Sequence, residues 1–112
     1  MAEELAWQAR QLLERTPQSQ LPLTYRQLAE ALGLEPPRTI QRVARALEVL
    51  MREDAKAGRP LIAALVVSRR GEGLPASGFF ALAVALGRLP AEPAAQAEAY
   101  RAEFQRALAA RG

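Results

Sequence analysis

The segment from Leu23 to Arg52, LTYRQLAEALGLEPPRTIQRVARALEVLMR, constrains the fold of this chain more than any other. It holds two runs of helical periodicity parted by a glycine and a proline pair. Thr24 has the place and chemistry of a helix N-cap, with Gln27 as its capping-box partner, and Leu23 and Leu28 stand at the hydrophobic-staple positions around it. The first helix carries Leu28, Ala29 and Leu32 on one face and stops at Gly33, a residue free to turn left-handed. Pro36 and Pro37 suit the first turn of a second helix. That helix sends Ile40, Val43, Ala44, Leu47, Leu50 and Met51 to one side, and Arg38, Gln41, Arg42, Arg45 and Arg52 to the other. Ala29 and Gly33 are small enough for two helices to cross closely, so the spacing predicts a helix-turn-helix over residues 23–53.

Composition bounds the rest. A chain of 112 residues with half of them apolar is long enough for one domain with a real core, and disorder is not expected. No apolar run approaches a membrane span, so no membrane partner is expected. The N-terminus lacks a basic region followed by an apolar core, which makes the cytoplasm the default location. Cysteine and histidine are both absent, which excludes disulfides, zinc fingers, thiol nucleophiles and Ser-His-Asp triads. Glu53 and Asp54 are adjacent on a helix and do not face one another, and no glycine pattern cradles a phosphate. The expectation is a protein that is not an enzyme and takes no cofactor and no metal.

The net charge of +3 hides an asymmetry. Residues 38–70 hold eight basic and three acidic residues, whereas residues 1–37 hold three basic and five acidic ones, and residues 71–112 are balanced. A surplus confined to the second helix and the segment after it points to an anionic partner rather than to general solubility.

Around the helix-turn-helix the chain reads as an opening helix over residues 1–16, with Leu5, Ala9, Leu12 and Leu13 on its apolar face and Trp7 to the side of it. Trp7 is expected to be partly buried against another helix, or else to make an oligomer contact. Asp54 to Arg59 reads as a polar loop around Gly58. Leu61 to Ser68 is continuous apolar sequence and predicts one strand covered on both sides, within a unit of strand and following helix over residues 60–89. Arg69 to Gly78 is a glycine-rich turn with two adjacent arginines, and Phe79 and Phe80 are the expected core anchors after it. A last helix over residues 93–111 carries Ala97, Tyr100, Phe104 and Leu108 in a thin stripe, which either roofs the domain or pairs with a second copy as a homodimer. The expected fold is mainly α with a small β wing: a winged helix-turn-helix with extra C-terminal helices.

Two resemblances add to this. The segment GRPLIAALVVSRRGEGLPASGFFALAVALG, joined to the preceding helix-turn-helix, resembles a bacterial winged-helix family of uncharacterised activity with an RPLL-alVV…G.P..GFF pattern, over roughly residues 22–88. The chain is also similar to the DNA-binding domain of alkylguanine DNA alkyltransferases and alkyltransferase-like proteins. There the tyrosine helix corresponds to Tyr25-Arg-Gln-Leu-Ala-Glu-Ala-Leu-Gly33, the next helix in part to Ile40-Gln-Arg-Val-Ala-Arg-Ala-Leu47, and the reactive strand to Ile62-Ala-Ala-Leu-Val-Val67. Ala63 stands where that family keeps its reactive cysteine, Ala64 where it keeps histidine, and Gln41 where it keeps the arginine that props open a flipped-out base. The likeness therefore implies a DNA-binding plan without alkyl transfer.

Double-stranded DNA is the partner these features point to. Arg38, Gln41, Arg42 and Arg45 form the candidate groove-facing set, since arginine binds phosphate or guanine edges bidentately. Thr39 and Tyr25 offer hydroxyls to phosphate, or else cap a helix and cover the core. Arg69 and Arg70 offer backbone contacts, or else decorate a solvent loop. The leading expectation is a DNA-binding protein of transcription regulation; the alternatives are a protein–protein interaction module on the same architecture and a non-catalytic lesion binder.

Overall fold

The computed structural model describes residues 2–111. Helix α1 (Ala2–Arg15) opens the chain, followed by a 3-10 turn at Gln18–Gln20 and strand β1 (Leu23–Thr24). Helices α2 (Tyr25–Ala31) and α3 (Thr39–Ala57) come next, then a 3-10 turn at Ile62–Leu65 that leads into strand β2 (Val66–Val67). Helices α4 (Ser77–Ala85) and α5 (Pro93–Ala110) complete the order. The molecule is mainly helical with one small two-stranded sheet.

Helix α2 starts as its sequence dictates. The Thr24 side chain accepts the Gln27 amide at 3.0 Å and the Gln27 side chain accepts the Thr24 amide at 2.9 Å, closing the capping box. Gly33, with φ of 72°, ends this helix in the left-handed region. The second helix departs from expectation at both ends. Pro36 and Pro37 precede α3 rather than form its first turn, because a residue before proline is pushed out of helical geometry. Arg38 then takes φ of 62° as the N-cap, and the helix proper begins at Thr39. At the other end Asp54 to Ala57, expected as a loop, continue α3, and Gly58 closes it with φ of 73°.

Val43, Ala46, Leu47, Leu50 and Met51 bury one side of α3 against Ala6, Ala9 and Leu13 of α1 and Leu28 and Ala29 of α2. Full burial of each large side chain is worth about 1.5–3 kcal/mol. The core then runs without a break through Leu61 to Val67 and is covered from the far side by Phe79, Ala83, Tyr100 and Ala107. Tyr100 thus belongs to this chain's own core, and its hydroxyl donates to the Ala64 carbonyl at 2.7 Å. Phe104 and Leu108 are half-buried beside it.

Leu61 to Ser68 is not one strand. Ile62–Leu65 form a 3-10 turn, and only Val66 and Val67 are strand, pairing in parallel with Leu23 and Thr24. An unbroken apolar run reports burial on both sides, which a buried turn satisfies as well as a strand does. The sheet therefore lacks the antiparallel hairpin that the expected wing calls for. In place of a wing hairpin, residues 68–74 fold into a compact loop: the Ser68 amide donates to the Leu74 carbonyl at 2.8 Å and the Leu74 amide to the Gly71 carbonyl at 2.9 Å. Gly71 is required there, since a Cβ would lie 2.6 Å from the Leu74 carbonyl oxygen.

Candidate nucleic-acid interface

The N-terminal half of α3 gathers the expected groove-facing residues. Arg38, Gln41, Arg42 and Arg45 are exposed and line one open recess of about 360 Å³ with Pro37. Arg42 donates to the Glu35 carbonyl at 3.2 Å, which ties its guanidinium to the turn before the helix. No carboxylate pairs with Arg38, Arg42, Arg45 or Arg52 among the described residues. The left-handed Arg38 supplies no side-chain cap, so the first-turn amides of α3 add the positive end of the helix dipole to this group. Thr39, half-buried, is the first residue of that turn.

The other candidates sit apart. Arg69 borders a second recess with Thr24, Arg26, Gln27 and Glu30 at the start of α2. Arg70 is exposed on the same 68–74 loop. Tyr25 is half-buried, and its hydroxyl accepts the Ala76 amide at 3.0 Å, locking α2 to the start of α4. Burial raises its phenol above the ordinary value of 10.0, which the Ala76 hydrogen bond only partly offsets. The hydroxyl keeps its own proton to donate.

Two expectations about apolar residues are corrected. Ile40, expected in the core, is 46 % exposed, because it stands at the edge of the contact between α3 and the start of α4 and is covered on one side only. Trp7, expected to be partly buried, is 62 % exposed, since α1 is held down by Ala6, Ala9 and Leu13 on the face turned away from it. Ile40 borders a narrow apolar cleft of about 90 Å³ between α3 and α4, walled by Tyr25, Leu47, Met51 and Phe79.

Two buried carboxylates were not expected at all. Asp54 Oδ1 lies 2.9 Å from Arg10 Nη2 and 3.0 Å from Arg59 Nε, while Oδ2 accepts the Ile62 amide at 3.0 Å. Glu103 Oε2 accepts the Leu61 amide at 2.7 Å and Arg88 Nη2 at 3.0 Å, and its Oε1 pairs with Arg106. Both side chains are fully buried. Each accepts one of two successive amides at the start of the 3-10 turn, Leu61 and Ile62, so they pin that turn to α3 and α5. The sequence carried a signal: Asp54 falls one turn after Leu50 and Met51, and Glu103 lies between Tyr100 and Ala107 on the same stripe.

Among the described residues no group of three or more acidic residues is placed to hold a metal, and no helix is long and apolar enough to cross a membrane. Ala63, at the position matched to the alkyltransferase cysteine, is 1 % exposed. No protein-family model, curated protein or solved structure matches this chain.

Proposed function

We propose that this protein binds double-stranded DNA through the N-terminal half of α3, as a helix-turn-helix reader in transcription regulation. The observation that carries the proposal is the recess of Arg38, Gln41, Arg42 and Arg45, exposed and with no carboxylate partner among the described residues, at a helix tip whose dipole is also positive. The tip enters a groove and its arginines meet phosphate and base edges, while Arg69 and Arg70 of the 68–74 loop contact the flanking backbone. Duplex affinity in low salt, compared between the parent and Arg42→Glu/Arg45→Glu, tests this. Both sites are exposed, so folding changes by about half a kcal/mol each at most, and affinity falls at least tenfold. Equal affinity would remove α3 as the reading helix.

A protein–protein role is favoured by a different observation, the 62 % exposure of Trp7, because exposed tryptophans are frequent anchors at interfaces. A Trp7→Ala change that abolishes capture of a protein partner and leaves duplex affinity intact would support that second role. Lesion binding has less support. Gln41 stands where the alkyltransferase-like proteins keep the arginine that props open a flipped-out base, and Ala63, at the reactive position, is 1 % exposed.

A further inference from the structure

Arg42 and Arg45 line two recesses, and only one of them belongs to the proposed DNA contact. The other is an open recess of about 410 Å³ between the first turns of α1 and the N-terminal half of α3. Leu5 and Gln8 of α1 and Leu34, from the turn ahead of α3, form the rest of its wall. The two arginines therefore stand on the ridge between the recesses. The volume falls within the roughly 300–1,000 Å³ of small-molecule sites.

The lining is divided by chemistry. Leu5 and Leu34 are half-buried and pack on the core, so the apolar part of the wall is held in place. Arg42 and Arg45 are exposed and have no carboxylate partner among the described residues. The Glu35 carbonyl steadies Arg42 at 3.2 Å and engages Nη1 alone. A guanidinium holds a carboxylate through two parallel N–H bonds, so the arginines suit an acid and the leucines suit its hydrocarbon body. Glu4 borders the same recess and forms no ion pair among the described residues. One carboxylate beside two guanidiniums leaves a single surplus positive charge, which favours a monoanion over a phosphate dianion.

We infer that this recess binds a small organic carboxylate with an apolar body, the carboxylate on Arg42 and Arg45 and the body on Leu5 and Leu34. The site stands without the DNA reading, but its consequence rests on that reading. An acid held there occupies the guanidiniums that the proposed function gives to DNA, so acid and duplex compete. Each lowers the affinity for the other by the same factor, and the protein releases DNA in response to an organic acid.

The probe is sodium hexanoate, set against acetate, which has the charge without the body, and hexanol, which has the body without the charge. Hexanoate should bind the full chain about tenfold more tightly than either and should move the Leu5 and Leu34 methyl resonances in NMR spectra. At ten times its own dissociation constant it should weaken duplex binding about tenfold relative to acetate at equal concentration, a comparison that holds ionic strength constant. Leu5→Ser, checked for folding by circular dichroism, should bring hexanoate down to the acetate level and leave duplex affinity within about twofold. Hexanoate that binds the parent no more tightly than acetate or hexanol overturns the inference and leaves the DNA reading standing. Tighter binding of hexyl phosphate than of hexanoate overturns the choice of a carboxylate. Hexanoate that binds yet leaves duplex affinity unchanged overturns the competition. Hexanoate binding in a protein that binds no duplex in low salt upholds the site and removes the DNA reading.

Discussion

Replacing Glu103 should reveal how strongly the interior depends on one buried carboxylate. Its side chain is fully buried and serves the Leu61 amide at 2.7 Å, Arg88 at 3.0 Å and Arg106. Glu103→Ala strips a partner from a buried amide and from Arg88, whose side chain is only 23 % exposed. Breaking a buried ion pair from one side costs about 3–5 kcal/mol. Glu103→Gln keeps the shape and an acceptor but loses the charge, which places it at about 1.5–3 kcal/mol, the range for hydrogen bonds to charged groups. Arg106 is 56 % exposed, so Arg106→Ala should cost no more than about 1 kcal/mol. With a urea m-value of about 1.5 kcal/mol per molar, the midpoints should fall by about 2–3 M, 1–2 M and less than 1 M in that order. A Glu103→Ala midpoint within about 0.5 M of the parent would refute the claim that this carboxylate holds the 3-10 turn to α5.

Thr24→Ala removes one half of the capping box and should cost about 1 kcal/mol, with Thr24→Gly costing similarly or less, as urea midpoints can show. Deleting residues from Pro93 onward removes Tyr100, Glu103 and Ala107 from the core and should unfold the domain by circular dichroism; a folded truncated protein would make α5 an accessory element. Alkaline stability offers another check. Burial raises the phenols of Tyr25 and Tyr100 above 10.0, so the folded state binds protons that the unfolded state releases. The stability they contribute is complete below pH 10 and declines as pH rises above it, and Tyr25→Phe with Tyr100→Phe should flatten that decline in thermal melts.

How far the sequence discloses this protein depends on whether a signal is local. The capping box at Thr24, the turn at Gly33 and the arginine side of α3 are set by neighbours along the chain, and each is found where the pattern puts it. Ile40 shares the periodic stripe of Leu47 and Met51, yet it is 46 % exposed, because coverage depends on neighbours from other elements, which periodicity does not encode. The apolar run at Leu61 to Val67 discloses burial but not backbone geometry, so a buried 3-10 turn and a buried strand share the same pattern. Asp54 and Glu103 look like ordinary helix charges in isolation. Their burial follows from arginines far along the chain, with Arg10 and Arg88 reaching them from other elements. The candidate interface is legible on α3 and scattered elsewhere: Arg69 and Arg70 lie on a loop away from the recess, and Tyr25 already bonds the chain's own backbone.

Duplex affinity measured across a salt series tests the central claim most directly. Binding to random-sequence DNA should weaken linearly in the logarithm of salt concentration, with a slope of about 0.9 for each phosphate neutralised. Arg42→Glu/Arg45→Glu should lower that slope by about 2 if both arginines meet phosphate, or weaken affinity at an unchanged slope if they meet bases. Absence of any duplex binding at low salt, or binding that salt leaves unchanged, would contradict the assignment of α3 as a DNA-reading helix.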